Sequence, residues 1–295
     1  MTWLLWRQSR FQTAVAGALL LALVALVLST GVRMSPFPSP GRYDALVTLL
    51  RLTVALPLVL GVFFGATAIA RETEHGTHVL AWTQSATRKR WTLGKLAVAV
   101  LTVVAVQAVV AAATTWWFGP FAGLDGGRFA ALRFDIEGIV SISYALFAAS
   151  LGLAAGAWFR RLLPAIGTTV GGFFVVRFGI EQWLRPHLFT AKTVLTPLGT
   201  PQRIPANAWM VGTDLIGPDG ASLHGRIIGT PALCPDAVDR MSMNACMDRV
   251  GYHIKSVFHP ASQYWPTQWI ETGVFVALAA ALLVGAYLLL VRRDA

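Results

Sequence analysis

Between Arg71 and Lys95 the chain reads RETEHGTHVLAWTQSATRKRWTLGK, a crowd of carboxylates, imidazoles and cations. Glu72, Glu74, His75 and His78 are residue types that ligate metals. Gly76, however, interrupts the helix that would put both histidines on one face, and no H-E-x-x-H order is present. No metal site is expected. A phosphate-cradling loop needs G-x-x-x-x-G-K followed by Ser or Thr. Here Leu96 follows Gly94-Lys95, and Lys89 stands where the first glycine should be. ATP is not bound by that route, and no serine or paired-aspartate protease pattern appears. What remains is a contact surface. Gly76-Thr77 can start a short helix capped by Thr77, with Val79, Leu80 and Trp82 as its apolar side and Arg88, Lys89 and Arg90 anchoring the return. Such a helix suits docking into a groove on a partner protein. The alternative is a solvated basic loop with Trp82 and Trp91 at an interface.

Two apolar runs, 46–70 and 96–118, hold this segment, and each is long enough to cross a bilayer, which takes roughly 20 apolar residues of helix. The whole chain has that character. Of 295 residues, 55% are hydrophobic and 13% charged, with a mean hydropathy of +0.60; a soluble domain carries about 25% charged residues. Further apolar runs at 13–30, 136–159, 164–184 and 269–291 make six spans. The expected fold is an all-α integral membrane protein. Residues 1–12 form an N-terminal interfacial helix, or a frayed start to the first span, and 13–184 hold spans 1–5 with the polar segment 71–95. Residues 185–268 form an extracellular domain, and 269–295 are span 6 and the C-terminus. No cleavable signal peptide is expected, because no small-residue site follows 13–30.

The net charge of +10 would suggest nucleic acid in a soluble protein. Here the cations gather at helix ends, which excludes nucleic acid and makes membrane lipid the natural partner. Arg7, Arg10, Arg71, Arg88, Lys89, Arg90, Lys95, Arg160, Arg161, Arg292 and Arg293 fall on one side. The two short loops opposite hold only Arg33, Arg42, Arg128 and Arg133. The positive-inside bias then puts both termini and 71–95 in the cytoplasm of a multi-pass plasma-membrane protein. Cys234 and Cys246 lie together on the outer side, where one disulfide is expected; two free thiols are the alternative.

Several residues inside the spans call for partners. Arg51, Glu137, Arg177, Glu181 and Glu271 fall at one depth in the outer third of the membrane. An unpaired charge at a helix centre costs about 2.5–3.5 kcal/mol on insertion scales. Arg177 and Glu181, four residues apart, share a helix face. Arg177 is expected to pair with Glu137 or Glu181, with Arg51 as a further member, and to hold an outer gate closed. For Arg51 and Glu271, near helix ends, the alternative is that each snorkels separately to the outer headgroups. Phe63, Phe64, Phe173 and Phe174 could line an apolar substrate path, or simply pack. Gly61/Gly65, Gly152/Gly156 and Gly167/Gly171 each have the spacing that lets helix backbones approach closely.

The order Arg71-Glu72-x-Glu74-x-Gly76-Thr77, Leu80, Thr87-Arg88 and Gly94-Lys95 resembles the ABC type-2 transporter permeases. The strings EHGTHVLAWTQSATRKRW and PASQYWPTQWIETGVFVALAAALL resemble their actinobacterial branch. The six-span layout agrees over the whole chain. The resemblance implies the permease subunit of an exporter, not itself an enzyme and with no cofactor of its own. ATP and Mg would sit on a separate ABC ATPase subunit. It implies a second permease copy, in a homodimeric complex with two ATPases, and multidrug efflux or export of a drug, lipid or peptide. It also implies a coupling helix over 77–85, with Glu72, Glu74, His75, Gly76, Thr77, Leu80, Trp82 and Arg88 contacting the ATPase. Gln84-Ser85-Ala86 replaces the proline usual after that helix, which leaves its end open. The alternative function is a membrane sensor or assembly factor whose outer domain binds a ligand.

Overall fold

The computed structural model describes residues 51–76, 87–119, 127–201, 207–223 and 239–292, with isolated positions between them. The expected interfacial helix 1–12, most of the first span and residues 77–86 lie outside the described residues. The described part is mostly helical, and five of its helices are long and apolar enough to cross a membrane. Contacts divide the chain into two units, a helical one and one built mainly from Pro186–Pro266.

In the helical unit, α1 (Leu52–Glu74) is wound unevenly. A 3-10 turn precedes Pro57, and Gly61–Ala66 form a π-helix. The irregularity starts where proline removes a backbone donor. After α1 come α2 (Arg88–Phe118), the short α3 (Ala131–Ile136), α4 (Val140–Phe159) and α5 (Leu162–His187). The last described helix, α7 (Tyr264–Arg292), starts in the second unit and continues through the helical one. Helix α2 starts at Arg88, so the cationic end of the polar segment is wound into the span itself.

Helix α4 is the centre of the unit: 78% of its apolar window is buried, against 22–39% for the other spans. Its composition explains this. Inside a membrane apolar surface gains little by meeting apolar surface, so close backbone packing decides which helices associate. A Cβ at Gly61 would stand 2.7 Å from the backbone carbon of Ala148, and one at Gly65 3.0 Å from the Cα of Ala149. From the other side, a Cβ at Gly152 would stand 2.7 Å from the Gly61 carbonyl oxygen, and one at Gly156 3.1 Å from the Ala70 nitrogen. Two of the three glycine pairs therefore seat α1 against α4. The third pair does not serve this packing: a Cβ added at Gly167 or Gly171 would meet no other part of the described residues within 4 Å. Elsewhere, Ile69, Leu96, Leu153 and Leu290 form one buried layer, and Leu60, Phe64, Val103 and Ala149 another.

Between α3 and α4 the helix breaks at Gly138, whose φ of 75° lies in the left-handed region. The freed backbone groups are met from two neighbouring spans: Thr114 Oγ1 of α2 donates to the Ile136 carbonyl, Thr115 Oγ1 accepts from Gly138 N, and the fully buried Gln268 of α7 meets three more. Its Oε1 accepts from Val140 N at 3.0 Å, and its Nε2 donates to the Phe134 and Glu137 carbonyls at 3.2 and 3.4 Å. Gln268→Met keeps the volume and loses these bonds. It should lower stability by about 1–3 kcal/mol, the cost of stranding buried polar groups. The drop in thermal midpoint of the solubilised protein, compared with that of Gln268→Ala, separates bonding from packing. Equal stability of Gln268→Met and wild type would refute the role.

The second unit departs from an all-helical reading. It contains a three-stranded antiparallel sheet of β1 (Lys192–Pro197), β2 (Trp209–Ile216) and β3 (His253–His259) in the order β1-β3-β2. Lys192 pairs with Phe258 across one edge and Ile216 with His253 across the other, with a bulge between Met210 and Gly212. Phe129 stacks on Trp209, and Trp209 on His259. The helix α6 (Arg240–Arg249) is capped reciprocally by Asp239 and Ser242, which holds the Asp239 carboxyl below the usual carboxylate range. Cys234 and Cys246 are joined in a disulfide, as expected.

Candidate functional site

Two sets of polar residues lie at opposite ends of the spans. The larger is a buried ionic network drawn from four helices. Asp135 comes from α3, Tyr144 from α4, Arg177 and Arg185 from α5, and Glu271 from α7. Arg177 Nη2 lies 2.6 Å from Asp135 Oδ2, and Arg185 Nη2 lies 3.0 Å from Asp135 Oδ1. Arg185 also grips Glu271 in a fork, Nε to Oε2 and Nη2 to Oε1, both at 3.0 Å. The Tyr144 hydroxyl donates to Glu271 and accepts from Arg185. Each guanidinium also covers a ring, Arg177 over Tyr144 at 4.5 Å and Arg185 over Phe134 at 4.3 Å. Such forked, ring-backed pairing suits arginine and not lysine. Two cations and two carboxylates balance, which is what makes burial of all four tolerable.

The winding of α5 brings Arg177 and Arg185 together. On a regular α-helix, residues seven apart return to the same face; these two are eight apart. The π-helical turn Ile180–Leu184 absorbs the extra residue.

That same turn corrects the expected gate pairing. Glu181 does not pair with Arg177. It lies in the π-turn, half-buried, and makes no ion pair among the described residues. Glu137 does not pair with Arg177 either: it accepts from Arg133 Nε at 2.8 Å, one helical turn away. Arg133 in turn covers the Phe118 ring. Glu271 does not snorkel, being only 1% exposed, whereas Arg51 is exposed and takes no part in the network.

Asp135, Tyr144, Arg185 and Gln268 are not apparent from the sequence pattern. The available signal was the stretch FAALRFDIEGIV, in which charges alternate with large apolar residues instead of loop formers. The four phenylalanines do not converge. Phe64 is in the core and Phe173 stacks with Phe147, whereas Phe63 and Phe174 are exposed.

At the other end, the carboxylates of the polar segment turn towards neighbouring spans. Glu72 forms an ion pair with Lys95 of α2. Glu74 Oε2 accepts from Leu162 N, the first residue of α5, at 2.9 Å. His75 and Gly76 are exposed and close α1, with Gly76 at φ 69°. Arg88, half-buried, opens α2. Thr77, Leu80 and Trp82 lie outside the described residues. Among the described residues, no group of three or more His, Cys, Asp or Glu could hold a metal ion.

Several apolar helices of spanning length, packed through glycines and joined by buried ion pairs, define a multi-pass membrane protein. Residues 37–185, about half of the chain, match the family described as ABC-2 membrane transporter related, and the chain belongs to that family. It is thus a membrane subunit of the ABC transporter type. Such subunits are not themselves catalytic and normally partner an ABC ATPase. No curated protein and no solved structure matches the chain.

Proposed function

We propose that this chain is the permease of an ATP-driven exporter, acting as two copies with two ATPase subunits that hold the ATP and Mg. The reading places Arg71–Lys95 and both termini in the cytoplasm and the sheet-bearing unit outside. One observation carries it: Glu72 and Glu74, at the foot of α1, are bonded to the start of α2 and the start of α5. A push on the coupling segment 77–85 therefore reaches three spans together. The segment's apolar side, Leu80 and Trp82, would seat in the ATPase groove. The outer gate would be the network of Asp135, Arg177, Arg185, Glu271 and Tyr144. Phe63 and Phe174 face away from the bundle, where a second copy would stand and where a hydrophobic or amphipathic substrate would pass.

The test is co-purification with a candidate ATPase, followed by hydrolysis and transport assays in proteoliposomes. Trp82→Ala should weaken assembly with the ATPase. Glu74→Ala should leave the complex assembled and hydrolysing while transport falls, because the link to α5 is cut. Normal transport by both variants would overturn the coupling assignment.

A further inference from the structure

In the sheet-bearing unit, Arg128, Asn207, Ala261, Tyr264 and Trp265 line an open cavity of about 190 Å³. Its construction begins with two left-handed residues, Gly127 at φ 75° and Asn207 at φ 62°. Their backbones approach so closely that a Cβ at Gly127 would collide with Asn207. This contact sets Arg128 on the rim, exposed and without an acidic partner among the described residues. The Asn207 Oδ1 is buried against Gly127 and has no hydrogen-bond partner among the described residues. The far wall is aromatic, with Tyr264 and Trp265 edge to face at 5.3 Å.

A guanidinium with no acidic partner among the described residues, set beside two rings, is the chemistry that receives a phosphate ester. The guanidinium meets the phosphate oxygens in a fork, and the rings cover the organic part. The source of that phosphate follows from the helix that carries the rings. Tyr264 and Trp265 are the first residues of α7, which continues into an apolar helix long enough to cross a membrane. One turn on, Trp269 is 64% exposed, beside Trp265 at 48%. Tryptophans at a span end mark the headgroup level of a bilayer. We propose that the cavity binds the phosphate headgroup of a phospholipid, with Arg128 as its anion contact. The inference does not depend on the transport reading, because it concerns binding alone.

Native mass spectrometry of the full-length, delipidated protein tests it, using phosphatidylglycerol as probe and diacylglycerol, which lacks the phosphate, as comparison. Arg128→Gln should weaken phosphatidylglycerol retention by about tenfold, the scale of one charge-assisted contact, and leave diacylglycerol unchanged. Arg128→Lys should recover part of the loss. Lys192→Gln, an exposed cation on β1, should change nothing. Equal retention by Arg128→Gln and wild type, or an equal loss in Lys192→Gln, would overturn the site. Displacement of the lipid by equimolar glycerol phosphate would overturn the lipid as its source.

Discussion

Replacing Arg185 by Met should cost about 3–5 kcal/mol and remove most of the folded protein from the membrane fraction. The reason lies in what stays behind. Glu271, 1% exposed, would lose both arms of the fork, and Asp135 would keep Arg177 as its one cation. Removing both ends of the fork, Arg185→Met with Glu271→Leu, restores neutrality and leaves Asp135 paired with Arg177. That double variant should regain much of the thermal midpoint, measured on solubilised protein. If it is no more stable than either single variant, charge pairing is not what the network contributes.

Gly65→Leu should be at least as damaging. Its Cβ would stand 3.0 Å from the Ala149 Cα, and backbone atoms cannot swing aside as a side chain can. Helices α1 and α4 would have to separate, and α4 carries most of the buried contacts of the bundle. Overpacking costs about 1–3 kcal/mol where side chains can adjust, and more where they cannot. Gly167→Leu is the control, since a Cβ there would point into open space among the described residues and the single chain should keep its stability. A Gly65→Leu variant with a wild-type thermal midpoint would show that this contact does not hold the two helices together.

How far the sequence could be read follows from the same residues. Length and apolarity marked the spans because those properties are what a bilayer demands. The glycine spacing found two real contacts and one open face, since spacing says how close a helix can come but not which helix arrives. Arg177 was visible as a charge in need of a partner. Its partner was not, because Asp135 lies in a stretch that reads as a loop and because the π-turn shifts the register of α5 by one residue. Arg185 sits where an apolar run gives way to a polar segment, so nothing in its neighbours marks it as buried. In the sheet, β3 pairs with strands before it in the chain, and His253, Lys255 and His259 blunt its apolar alternation.

The position of α7 in the chain has a consequence for biogenesis. Gln268 and Glu271 are made more than a hundred residues after the groups they satisfy, such as Val140 N and Tyr144 Oη. Until α7 leaves the ribosome, α3, α4 and α5 hold two arginines against one aspartate, and the break at Gly138 lacks the three bonds of Gln268. A nascent chain stalled before α7 thus carries an uncompensated cation and stranded amides. Those defects would be visible to membrane quality control, and arrival of α7 erases both at once.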